Sequence, residues 1–287
     1  MSQTLGPPLS LDGPLPVAPL RSLLNTVTVI DSPDLRFGVG GVVWPYPPGL
    51  PEAWDPCSAG TFRTKSDGLD FGWDLPQFQP FTVYLPISCS SITAAAPGFA
   101  DRAALALAAT ESYAVARELA RGEANPLNPF LDDANLTILN AGVAVNADYA
   151  LGLLEDAIGA TGRGGVILTS PAVGAAFNGG TGGYGIDTKS GALQTTANGT
   201  PVALDGGFIG SSPSLHAVLG DGEAWAFATG PIHVRRSPQI EIISTLKEST
   251  DRSDNTVTFR AERDYLVTWD TSLQAGVLID LTGCVLC

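Results

Sequence analysis

In the C-terminal residues 256–287, TVTFRAERDYLVTWDTSLQAGVLIDLTGCVLC, apolar side chains alternate through Val257, Phe259 and Ala261, cross a charged Glu262-Arg263-Asp264 knot, and resume at Leu273, Ala275, Val277 and Ile279. Period two over two consecutive runs predicts paired strands with one buried face. The stretch carries nothing that resembles a cleft lined with chemistry. It reads as scaffold that closes a domain.

What surrounds this scaffold is bounded by charge. Charged residues are only 15% of the chain, and 29 Asp and Glu outweigh 15 Lys and Arg for a formal net charge of −14. Such a surface repels phosphate backbones, which argues against a role in reading nucleic acid, although an acidic protein can stand beside DNA as a non-adhesive wall. With 287 residues, 44% of them hydrophobic, the chain can bury one large or two modest cores; its 33 Gly and 22 Pro mark many breaks between elements.

The first residues show no basic region followed by an apolar core, and no later run reaches the roughly 18 apolar residues of a membrane span, so the expectation is a protein made and kept in a cytosol, with no membrane partner. Four cysteines do not outline a disulfide framework at this length. Cys57 and Cys89 are a conceivable pair, buried free thiols the simpler reading. Cys284 and Cys287 in the final CVLC lack the second CxxC or paired His of a zinc site, and Cys is an atypical last residue for a prenylation box. The Asn135-Leu-Thr and Asn198-Gly-Thr sequons mean little without a secretion signal.

Along the chain, residues 1–27 carry Pro7, Pro8, Pro14, Pro16 and Pro19 with scattered Leu and Val, which favours an extended arm with too few apolar groups to fold alone. Short strand patterns follow (TVTVI, RFGVGGVVW, FTVYLPIS) around WPYPPGLPEAWDPCSAGTF, whose prolines preclude a helix or a central strand. Trp44, Tyr46, Trp54 and Trp73 load that excursion with apolar surface; it packs beneath its own loop, serves as a subunit contact, or acts as a proline-motif ligand. The segment PGFADRAALALAATESYAVARELARG predicts a helix over 98–122 with Leu105, Ala109, Ser112, Val115 or Ala116, and Leu119 on one narrow stripe facing a sheet, Arg117 and Arg121 complementing the dipole, and Gly122 as the stop. Asn146 is placed to cap a helix ADYALGLLEDAIGA. A turn at 162–165 then leads into a buried strand VILTS, Ser170-Pro171 opens a short helix PAVGAAF, and a glycine-rich loop over 178–199 returns to a strand at 201–204.

No catalytic, cofactor-binding or metal-ligating residue is assigned. Gly180, Gly182 and Gly185 spell a dinucleotide fingerprint, but they follow a helix and precede more loop, whereas the fingerprint joins a strand to a helix N-terminus. His216 and His233 have no serine in a GxSxG elbow to serve, and His233 alternates with Ile232 and Val234 as a half-exposed sheet residue. Asp132 with Asp133, Glu155 with Asp156, and Glu262 with Asp264 are carboxylate pairs of the kind glycoside hydrolysis uses, and a chain with 29 carboxylates offers such pairs by chance.

Arm, excursion, long helix, the VILTSP strand with its short helix, glycine-rich loop, GTPVALDGG, GPIHVRRSP, the TLKESTDRSDNTVTFRAERDYLVTW pair and QAGVLIDLTG together resemble the major capsid proteins of tailed bacteriophages, the Hong Kong 97-like fold shared with encapsulins, over about residues 20–283. The resemblance implies an α+β fold with an N-terminal arm at 1–27, an extended loop and flanking strands at 28–97, a spine helix at 98–134, an axial domain at 135–224, peripheral-domain strands at 225–272 and a strand returning to the axial domain at 273–287. It implies a non-enzymatic subunit that self-assembles as hexamers and pentamers into an icosahedral head enclosing double-stranded DNA, in the virion after assembly in a bacterial cytoplasm, with scaffolding, portal and decoration proteins as partners. Lys65 lies in the extended loop, but with three lysines in the chain it reads as a solvent-exposed charge rather than a cross-linking group. A head-tail connector or tail-ring component, and a carboxylate-pair glycoside hydrolase, are the alternatives.

Overall fold

In the computed structural model, residues 16–33, 41–42, 76–90, 99–179, 194–213, 219–243, 250–251 and 256–282 are described. The alternating run at Val257 becomes one unbroken strand, β12 (Thr256–Trp269), fourteen residues long. It organises a six-stranded sheet with β1 (Thr28–Asp31), β4 (Phe81–Ser90), β9 (Ile232–Arg236), β10 (Glu241–Ile243) and β11 (Thr250–Asp251), while β2 (Gly41–Val42) and β3 (Gln77–Phe78) pair with each other apart from it. On one side β12 pairs antiparallel with β4, from Thr256 opposite Ser90 to Tyr265 opposite Phe81; on the other it pairs with β9, from Tyr265 opposite Arg236 to Trp269 opposite Ile232. Phe259, Ala261, Tyr265, Val267 and Trp269 are buried, as the period requires. The charged knot does not interrupt the strand: Arg263 occupies an inward position because a buried carboxylate faces it.

The second run does not pair with the first. It forms β13 (Gln274–Asp280), which lies inside a five-stranded sheet of order β5-β13-β8-β6-β7, with β5 at Thr137–Ile138, β6 at Val166–Thr169, β7 at Val202–Leu204 and β8 at Glu223–Thr229. It is also buried on both faces rather than one: Leu278 joins one apolar cluster, while Ala275, Val277 and Ile279 join a second. β8 divides likewise, Trp225 and Phe227 facing the first cluster and Ala226 and Ala228 the other. A sheet covered on both sides has apolar residues at every position, so alternation no longer marks a solvent face. The chain crosses between the sheets at Gly230-Pro231, where a Cβ on Gly230 would stand 2.6 Å from that of Asp270. The division expected at 225 therefore falls inside β8.

Between the sheets lies the long helix α2 (Phe99–Arg121); a one-turn helix α1 (Leu23–Thr26) precedes it in the chain. Asp101 sits in the first turn of α2, Arg121 in the last, and Gly122 ends it at φ +61, where a Cβ would also strike the Phe130 ring at 2.6 Å. Its buried positions include Ala103, Leu107, Val115, Ala116, Leu119 and Ala120; Leu105, expected on the stripe, is 48% exposed. The buried face is broader than expected because two layers cover the helix. β12 and β4 pack on one flank, and on the other the turn Gly206–Phe208 comes so close that a Cβ on Gly207 would meet Tyr113 O at 2.5 Å and Ala116 Cβ at 2.7 Å.

The root of the N-terminal arm is not fully extended. Leu23 is wholly buried, its N–H donating to Asp205 Oδ2 at 3.1 Å, and the Leu24 N–H donates to Ser112 Oγ at 3.2 Å, so partners on distant elements satisfy the free donors of α1. The local helix signals hold elsewhere. Asn146 Oδ1 accepts from the Tyr149 N–H at 2.9 Å to cap α3 (Ala147–Ala160), Gly162 turns at φ +64, and α4 (Pro171–Gly179) follows Ser170. Residues 43–75 with their tryptophans, Cys57 and Lys65, residues 180–193 with the glycine triplet, His216, the Cys89 side chain and the CVLC ending lie outside the described residues.

Candidate functional site

The chemistry of α2 is concentrated on its buried side. Glu111 is 5% exposed, and Arg263 Nη1 donates to both of its carboxylate oxygens, at 3.1 and 3.0 Å. Arg236 Nη1 donates to Glu111 Oε1 at 3.2 Å while Arg236 Nε reaches Asp31 Oδ1 at 3.0 Å. One carboxylate thus ties the helix to β9 and β12, and through Arg236 to β1. Burial works against the Arg236 charge, but the hydrogen bond to Asp31 and the attraction of Glu111 and Asp31 hold its pKa above the ordinary value. Tyr265 lies in the same pocket, where burial first and Glu111 second push its pKa well above that of a free phenol.

A second knot joins α1, α2 and β7. Asp205 accepts from the Ser112 hydroxyl at 2.7 Å and the Leu23 N–H through Oδ2, and from the Gly207 N–H at 3.1 Å through Oδ1. Glu118, also buried, accepts from the Ala124 and Asn125 N–H groups at 2.6 and 2.9 Å and so shapes the turn that leaves the helix. Of these side chains the sequence marks Ser112, as a position on the buried stripe, and Arg263, within the charged knot, but gives neither a partner. The available signal was polar residues, Glu111, Ser112 and Glu118, on the face of a helix that otherwise buries apolar groups; their partners, 88 to 152 residues away for Ser112 and Glu111, carried none.

Four members of the carboxylate pairs read from sequence are engaged by other groups. Asp133 accepts from Gln274 Nε2 at 2.9 Å and from the Asn135 N–H at 2.7 Å. Glu155 accepts from the Thr196 and Thr200 hydroxyls, bolting α3 to the turn before β7, whereas its neighbour Asp156 faces solvent. Glu262 pairs with Arg260 at 3.0 Å and Asp264 accepts from Thr82 at 2.6 Å. His233 is exposed between buried Ile232 and Val234. Among the described residues no group of three or more His, Cys, Asp or Glu gathers as a metal site would require, and no helix is long and apolar enough to cross a membrane.

No family model and no curated protein matches the sequence. Solved structures do match the fold. The capsid of a native GTA particle computed with C5 symmetry is similar with a TM-score of 0.54 at 12% identity, over 97% of this chain and 95% of that one. A structure from Gordonia phage Cozz gives 0.52 at 14% over 98% and 92%, and one from Mycobacterium phage Che8 gives 0.51 at 15% over 98% of both chains. The chain has the Hong Kong 97-like fold. In the Hong Kong 97-like arrangement α2 is the spine helix, and the two carboxylate knots hold it from opposite sides: Glu111 to the six-stranded sheet, Asp205 to the arm root and the five-stranded sheet. The two knots tie both sheets and the arm root to one rod.

Proposed function

We propose that this chain is the structural subunit of an icosahedral phage head that encloses double-stranded DNA, and that it has no enzymatic role. The observation that carries this reading is likeness along nearly the whole of both chains to the capsid of the native GTA particle, with no large part of either left over. Physical features agree with it. A spine anchored at both flanks keeps its angle under load, a net charge of −14 keeps a wall from adhering to packaged DNA, and repetition of one subunit closes a shell through symmetric contacts.

In this reading the six-stranded sheet with the spine is the peripheral domain and the five-stranded sheet with α3 and α4 the axial domain. The axial set takes in β8 as well as residues 135–224 and 273–287, and residues 1–27 and 28–97 act as arm and extended loop toward neighbours. Hexamers and pentamers are the assembly units, with scaffolding, portal and decoration proteins as partners, and the virion is the final location. Expression of the chain alone, followed by gradient sedimentation and negative-stain microscopy, tests the proposal. Closed particles or ring-shaped capsomers are expected; a protein that stays a monomer or small oligomer with glycoside-cleaving activity would overturn it.

A further inference from the structure

An apolar knob and an apolar hollow stand apart on this subunit. The hollow is a cleft of about 390 Å³ between the arm root and α4, lined by Pro19, Leu20, Pro171, Gly174, Ala175 and Leu204, with Arg21 the one charged group on its wall. The Leu204 N–H donates to Arg21 O at 2.8 Å, and a Cβ on Gly174 would lie 2.5 Å from the Leu204 side chain, so arm root and α4 are both fixed against β7. The knob is Leu127, 81% exposed at the tip of the turn that leaves α2. Hydrogen bonds hold that tip in place. Glu118 accepts from the Ala124 and Asn125 N–H groups, Asn125 Oδ1 accepts from the Leu127 N–H at 3.2 Å, and Asn128 exchanges two bonds with Gln79, at 2.5 and 3.0 Å. Pro126 fixes the backbone just before the leucine. A loop already ordered in this way loses little further freedom when its side chain is covered.

We propose that Leu127 of one subunit docks in the cleft of a second copy of this chain, an inference that rests on the shell reading and names one of its contacts. Within one chain the leucine faces solvent and the cleft stands open, so the subunit does not fill its own hollow. The two surfaces match in charge. Residues 124–130, ANPLNPF, carry none, and the nearest carboxylate before them, Glu123, is already paired with Arg117 and Arg121 at 2.9 and 3.4 Å. On the cleft wall Arg21 Nη1 donates to the Gln194 side-chain oxygen at 2.7 Å. Docking therefore buries no unpaired charge, and in a chain of net charge −14 an uncharged contact is one that two copies form without mutual repulsion. The arm root is itself a wall of the cleft, so a neighbour engaged by the arm lies against the same opening. Knob and hollow occupy different surfaces, which makes the contact heterologous: each subunit offers one of each, and repetition closes a ring rather than a pair.

The test places the photo-cross-linker p-benzoylphenylalanine at position 127 of the full chain, an exposed site, and reads the products by denaturing electrophoresis and by mass spectrometry of the digested adducts. The expected result is a ladder of covalent dimers and higher oligomers whose adducts join residue 127 to 171–178, 204 or 20. Ala175→Glu, at an exposed position of α4, lowers their yield severalfold while the circular dichroism spectrum is unchanged. Adducts found only at monomer mass, adducts at residues away from the cleft, or a yield indifferent to Ala175→Glu overturn the docking. Sedimentation of the unsubstituted chain tells this failure from that of the shell reading: assembled particles with adducts elsewhere remove the docking and leave the shell, whereas a chain that stays monomeric removes both.

Discussion

Replacing Glu111 should strand Arg263 and leave Arg236 with one carboxylate partner instead of two. The carboxylate is the shared acceptor of Arg263, whose side chain is 11% exposed, and of Arg236, which is 28% exposed and keeps Asp31 as a second partner. Removing one member of a buried ion pair costs about 3 to 5 kcal/mol, because the remaining charge stays desolvated with nothing to offset it. Arg263 meets that condition; Arg236 retains water and a carboxylate and adds less. Glu111→Gln is the informative variant, since it keeps the volume of the side chain and removes only the charge. Its loss should fall in the same range as that of Glu111→Ala, lowering the melting temperature by roughly 2 °C per kcal/mol for a chain of this size, or about 6 to 10 °C. The triple variant Glu111→Leu, Arg236→Met, Arg263→Met removes the whole group and should recover most of that loss, because buried pairs contribute little net stability over apolar residues of similar size. Urea midpoints and calorimetry of the three proteins decide the matter. A Gln variant within about 1 kcal/mol of the parent, or a triple variant no better than Glu111→Gln, refutes the assignment of Glu111 as the electrostatic anchor of the spine.

Ala109→Pro removes a backbone hydrogen bond inside α2 and drives a ring into the preceding turn, at a cost of about 3 kcal/mol or more; assembly should fail before the circular dichroism spectrum changes, and closed particles from this variant would remove the spine from the argument. Gly207→Ala should destabilise by about 1 to 3 kcal/mol, because its methyl meets backbone of the spine at Tyr113 and Arg117, whereas Gly152→Ala in α3 meets nothing within 4 Å and should stabilise by about 0.5 to 1 kcal/mol; thermal melts of the pair read both signs. Tyr265 has a folded pKa raised above the ordinary 10.0, so its contribution is fully present below pH 10 and is lost as the pH rises above it, when the unfolded chain ionises and the folded one does not. A melting curve against pH should therefore fall more steeply above pH 10 for the parent than for Tyr265→Phe, and coincident curves would contradict the burial of that hydroxyl.

Elements were legible because their signals are local. The Asn146 cap, the Ser170-Pro171 start, the Gly122 stop and the alternation through Val257 and Phe259 each act within a few residues, and the corresponding helices and strands are all present. Faces and partners were not legible. Leu105 and Leu107 are equally apolar, and only the packing of distant segments into one core around the helix decides that Leu107 is buried and Leu105 is not. β13 carries an alternating pattern that a one-sided sheet would also carry; its burial on both faces follows from the layers on either side. Glu111 reads as an ordinary helical glutamate until Arg236 and Arg263, 125 and 152 residues further on, are brought against it. Periodicity and capping are properties of neighbours along the chain, so sequence alone determined which segments are rods and which are ribbons. The register between distant strands set the rest, because a carboxylate is buried only where the fold delivers its counter-charges.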